Sequence, residues 1–145
     1  MKQVVIAVDP GREKCGFAVV STAGEVVYKA VLDIAALPAA VQRWAGDETV
    51  EVAAWVLGDR TGAKAAASVL REAGVPERLI RTVDEHRSSE AGRRRYWREK
   101  PPRGWRRLIP TSMQTPPEPY DDFVAVELAH RYLAGASGEP KRVGP

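Results

Sequence analysis

The sequence predicts an α/β fold with a five-stranded mixed sheet, and three observations carry that expectation. Three short β-branched runs joined by tight turns fill the first part of the chain; the continuous apolar run 52–57 suits a strand covered on both faces; and strand and helix patterns alternate from there on. The class that follows is a three-stranded antiparallel meander joined to two parallel strands and flanked by helices.

Each element follows in order. Val4-Val5-Ile6-Ala7-Val8 reads as a buried strand that ends on Asp9 and is turned out of the sheet by Pro10-Gly11. Residues 16–20 make a second strand, 21–24 a turn and 25–31 a third strand, with connections too short for anything but antiparallel neighbours. Leu37, Ala40, Val41 and Trp44 recur at helical spacing, so a helix is expected over 35–46. After the fourth strand, 58–62 turn the chain into a helix over 63–73 with a slim stripe of Ala66, Ala67 and Leu70. The fifth strand is 79–83 and leads into Asp84-Glu85-His86. Ser88 is a good N-cap for a helix reaching about residue 98, with Glu90 in its first turn. Six prolines between 100 and 119 exclude helix and central strand, which makes that segment a stiff extended loop. The last helix runs over 120–133. Glu127, His130 and Arg131 form its polar face, and Asp121 and Asp122 fall on either side of the centre of its apolar face.

With 145 residues the chain forms a single domain over 1–134, followed by a flexible tail over 135–145 rich in Gly, Ser, Pro and basic residues. Hydrophobic residues at 44% and charged ones at 28% exclude wholesale disorder. The apolar runs are too short to span a bilayer and no charged-then-apolar leader precedes Val4, so a cytoplasmic location with no membrane partner is expected. The single Cys15 lies in a strand-like run and is expected to be a small buried hydrophobe.

Net charge is +3, but its placement is uneven. From His86 to Arg107 there are nine basic residues against Glu90 and Glu99, so that segment carries +7 and the remainder −4. Arg87, Arg94, Arg98, Arg103, Arg106 and Arg107, with Trp105 among them, are the candidate nucleic-acid contacts: guanidinium groups hold phosphate and rings stack on unpaired bases. The competing reading is a solvated face whose rings, Tyr96 and Trp97 included, belong partly to the core. Three adjacent arginines cover about 200° of helix surface, so at most two of Arg93, Arg94 and Arg95 face one phosphate track.

Asp9, Glu85 and Asp121 or Asp122 sit at strand ends or at the inward start of a helix, while Asp59 is a weaker fourth that capping the next helix would explain equally well. Acids near a helix N-terminus are favoured by the dipole, which accounts for part of the Asp121-Asp122 pair. Clustered carboxylates repel, and a divalent cation offsets that repulsion. Oxygen-only ligation points to Mg²⁺ or Mn²⁺, and two ions about 3.5–4 Å apart would suit phosphodiester cleavage.

Val8-Asp9-Pro10-Gly11 with Gly16-Phe17-Ala18-Val19, then Val83-Asp84-Glu85, then the run from Tyr120 to Val126 together resemble the three sequence blocks of the YqgF/RuvX family, relatives of the RuvC Holliday junction resolvases. The resemblance implies a ribonuclease-H-like fold and a metal-dependent nuclease, with Asp9, Glu85 and Asp121 as metal ligands and Asp122 beside them in the catalytic set. It also implies a role in maturing precursor small-subunit ribosomal RNA or in resolving branched DNA. RNA is the expected partner and DNA the alternative, with the chain monomeric or homodimeric. A non-catalytic nucleic-acid-binding assembly factor is the reading from another class. The resemblance has Arg directly after its middle Glu, where this chain has His86 and then Arg87, and the Pro/Trp loop is longer than the family's shorter forms.

Overall fold

A computed structural model of the chain describes residues 1–60, 62–135 and 141–142. Six strands form one sheet in the order β3-β2-β1-β4-β5-β6. Strands β1 (Lys2–Pro10), β2 (Lys14–Ser21) and β3 (Val26–Asp33) are the expected antiparallel meander, and β4 (Val50–Gly58) and β5 (Ile80–Val83) add to β1 in parallel. The sixth strand, β6 (Lys141–Arg142), pairs antiparallel with β5 and lies within the stretch expected to be a loose tail. The rest of that expected tail beyond Gly135 lies outside the described residues.

Period-2 alternation divides the core. Val4, Ile6, Val8, Phe17, Val19, Trp55 and Leu57 point to one face, where helix α1 (Leu37–Ala45) and helix α2 (Ala63–Glu72) cover them. Val5, Ala7, Ala18, Val20, Ala54 and Val56 point to the other, against helix α4 (Asp121–Ala134). Helix α3 (Ser88–Glu99) lies outside α4 and is joined to it by a third cluster of Tyr96, Trp97 and Phe123. Cys15 is buried on the α1/α2 face, as expected of it. Among the described residues no helix is long and apolar enough to cross a membrane.

Two expectations need correction. Ser88 is not the N-cap of α3; Arg87 is, in a left-handed conformation at φ 56°, while Ser88 is the first helical residue and donates its N–H to the Glu85 carbonyl at 2.9 Å. The loop over 100–119 is not uniformly extended. It contains two 3-10 turns, Gly104–Leu108 and Thr111–Met113, placed between the prolines, where backbone N–H groups remain to close them.

Contact between α3 and α4 depends on Gly92, where an added Cβ would stand 2.9 Å from the Val124 nitrogen and 3.0 Å from its Cα. Backbone cannot yield as a flexible side chain does, so Gly92→Ala is expected to destabilise the fold by about 1–3 kcal/mol. Thermal unfolding checks this: a fall of several degrees is expected for Gly92→Ala, and an unchanged midpoint would show that the helices pack with slack.

Candidate active site

β1 carries Asp9 on the face that α4 covers, because Val5 and Ala7 point there and side chains alternate. On one side its register partner on β2 is Gly16, and on the other the parallel register of β1 with β4 brings Gly58 alongside. Both glycines leave space that an acid-bearing segment fills. A Cβ on Gly16 would fall 1.9 Å from the Asp121 carbonyl oxygen, and one on Gly58 would fall 1.7 Å from Oε2 of Glu85. Asp9 therefore lies between two side-chain-free positions, with the start of α4 over one and the Glu85 carboxylate over the other.

The electrostatics follow from that packing. Burial, then the charges of Asp121 and Glu85, push the Asp9 carboxyl up to about 7. Burial and then Asp122 raise the Asp121 carboxyl, while Glu85 is raised by burial and Asp59 and partly relieved by Arg60, whose Nε lies 3.8 Å from Oε1. Among the described residues, no hydrogen bond or ion pair reaches the Asp9 carboxylate.

Adjacent helix positions separate the two aspartates. Asp122 faces β3, where its Oδ2 accepts from Lys29 Nζ at 3.2 Å in a mostly buried ion pair, and the same ammonium sits 4.0 Å from the Phe123 ring centre. Asp121 is the one turned to the sheet end beside Asp9. Asp59 does not cap α2, whose N-cap is Gly62 in a left-handed conformation; its Oδ1 accepts from the Glu85 backbone N–H at 3.3 Å. His86 is exposed, and its carbonyl serves a structural bond.

That bond belongs to Arg131, which sequence reasoning placed only on the polar face of the last helix. Its Nη1 donates to the carbonyls of Asp84 at 3.0 Å and His86 at 2.7 Å, and its Nε to Glu127 at 3.1 Å. Arg131 thus grips the backbone on both sides of Glu85 from α4, the helix that also supplies Asp121. The i, i+4 pair Glu127 and Arg131 was the visible signal, although nothing in the sequence named its target.

Three carboxylates from β1, the segment after β5, and α4 fit a hard divalent ion by their chemistry: all donors are oxygen, and Asp9 has no competing partner among the described residues. As placed, no three His, Cys, Asp or Glu side chains among the described residues are close enough together to share an ion.

The basic segment divides. Arg94 and Arg98, one turn apart on α3, are exposed, as are Arg87, Arg103, Arg106 and Arg107. Arg95 turns inward to His130 and Glu127, and Tyr96 and Trp97 belong to the core, so the rings of this segment other than Trp105 are buried as the competing reading expects. Trp105 is 69% exposed.

The fold is of the ribonuclease-H-like class. Two solved structures share it: Thermus thermophilus RuvC at TM-score 0.61 and 16% identity, and T. thermophilus RuvC in complex with Holliday junction substrate at 0.60 and 15%, each covering 97% of this chain and 99% of its own. No protein-family model and no curated protein matches the sequence.

Asp9 makes a pH prediction. A carboxyl whose folded value is raised above its unfolded one, 3.8 here, lowers stability as pH climbs from about 4 through about 7. In chelated buffer, Asp9→Asn is therefore expected to melt several degrees above the parent at pH 8, with the difference vanishing near pH 4. A constant offset across that range would contradict the coupling.

Proposed function

We propose that the chain is a divalent-metal-dependent nuclease that hydrolyses phosphodiester bonds in structured nucleic acid. The observation that carries this reading is the packing of Asp9 between Gly16 and Gly58, which gathers Asp121 and Glu85 around a carboxylate with no other partner among the described residues. Asp9, Glu85 and Asp121 would hold Mg²⁺ or Mn²⁺, two ions in the preferred form of the reading. Bound there, the metal supplies activation of a water and neutralisation of charge on the leaving oxygen. The protein's own part is to hold the backbone that carries that set: Arg131 fixes the backbone around Glu85, Lys29 keeps Asp122 turned aside, and the exposed arginines draw in a polyanion that the acids would repel.

Structured RNA is the preferred substrate, on the resemblance of the three blocks to a family associated with ribosomal RNA maturation. Four-way DNA junctions are the second reading, favoured by the likeness to a RuvC structure whose own ligand is a Holliday junction. Paired nicking of a junction needs two active sites related by a two-fold axis, so this reading requires a homodimer.

Asp9→Asn is expected to abolish Mg²⁺- or Mn²⁺-dependent cleavage of labelled structured RNA and of four-way junctions, while retaining binding to within about twofold. Asp121→Asn should do the same, and Asp122→Asn should act chiefly by lowering stability, since it breaks the Lys29 pair. Cleavage by Asp9→Asn at the parental rate would remove the nuclease reading.

A further inference from the structure

The segment 100–119 folds back over the C-terminal half of α3 as a strap. Lys100 Nζ and the Tyr96 hydroxyl both donate to Oε1 of Glu118, at 3.1 and 2.9 Å, and close its base. Gln114 Nε2 donates to the carbonyls of Arg106 and Ile109 at 2.7 and 2.9 Å and braces its tip. Prolines stiffen the remainder.

Between strap and helix lies a cavity of about 520 Å³, within the usual range of about 300–1,000 Å³ for a small-ligand site. Tyr96, Trp97, Pro101 and Pro102 give it an apolar wall, and Arg103 and Arg106 line it with side chains that have no ion-pair partner among the described residues. Glu118, the acid at its floor, is already taken up by Lys100 and Tyr96, which leaves Glu99 as the remaining negative charge. Trp97 is 8% exposed and its Nε1 donor is buried without an acceptor among the described residues. Just outside, the Arg106 guanidinium stands 5.7 Å from the centre of the exposed Trp105 ring, so one arginine serves both the cavity and a free aromatic face.

We propose that this cavity seats one unpaired nucleotide of a nucleic-acid strand, its base against the Trp97 and proline wall and its phosphate at Arg103 and Arg106, with the next base stacked on Trp105. The ligand class rests on the reading of the chain as an enzyme of nucleic acids, but the site is separate from the carboxylates. Stacking on a ring needs a base face freed from its duplex neighbours, and every unpaired base has such a π-face to offer. The strap therefore selects substrates with unpaired segments over uninterrupted duplex.

Fluorescence anisotropy with the full chain in EDTA tests this, using a labelled 12-nucleotide oligothymidylate and a labelled blunt duplex of about 12 base pairs. Trp105→Ala is expected to weaken single-strand binding by about thirtyfold, the middle of the range for one base–aromatic stack, and duplex binding by less than about twofold. Arg103→Ala with Arg106→Ala should flatten the single-strand salt dependence by about 0.7, the slope for the one phosphate that the pair would otherwise neutralise. Equal losses on both ligands, or no loss on either, would overturn the proposal. Since no divalent ion is present, failure here leaves the carboxylate site untouched, and loss of cleavage in Asp9→Asn does not bear on this result.

Discussion

Like charges held at the end of one sheet are the constraint that the neighbouring structure answers to. Asp9, Glu85 and Asp121 come from three elements far apart in sequence, and bringing them together costs desolvation as well as mutual repulsion. The fold meets that cost with large apolar contacts on both faces of the sheet: α1 and α2 on one side and α4 on the other. It also removes side chains where the acids arrive. With any residue other than glycine at position 16 the backbone at the start of α4 would have to move, and at position 58 the Glu85 carboxylate would be displaced from its place beside Asp9.

Helix α4 links the parts. Its buried stripe of Ala125, Val126, Leu128 and Ala129 fixes it on the sheet, its first residue supplies an acid, and Arg131 near its end grips the backbone around Glu85. Two of the three carboxylates are therefore positioned by a single rigid body, and the third is built into the central strand. The outer layer extends from the same helix: α3 rests on α4 through Gly92, and the strap rests on α3. Displacing α4 would disturb the acid cluster and the basic surface together.

Much of this was legible in the sequence because it depended on local periodicity. The β-branched runs, the slim alanine stripe of α2 and the spacing of α4 each specify an element through a pattern of 2 or 3.6 residues, and the five-stranded topology followed from connection lengths. The three acids stood out because a charge at the end of an apolar run is unusual. Arg131 was hidden because its partners are backbone carbonyls some 45 residues away, which no side-chain pattern announces. The split between Asp121 and Asp122 was hidden too, since helical geometry placed both near the same face and only Lys29 on β3 divides them. Arg87 as cap and the two 3-10 turns depended on tertiary contacts overriding local preference, and β6 pairs through backbone groups that carry no sequence signature.

In the proposed function Asp9 is completed by a divalent ion shared with Glu85 and Asp121. Anomalous scattering from crystals of the protein soaked in Mn²⁺ measures this most directly. The account predicts a strong peak within ligand distance of the Asp9 carboxylate and bridged to Glu85 and Asp121, accompanied by rotation of those side chains toward it. A map with no peak there, or with Mn²⁺ bound only elsewhere, would contradict it.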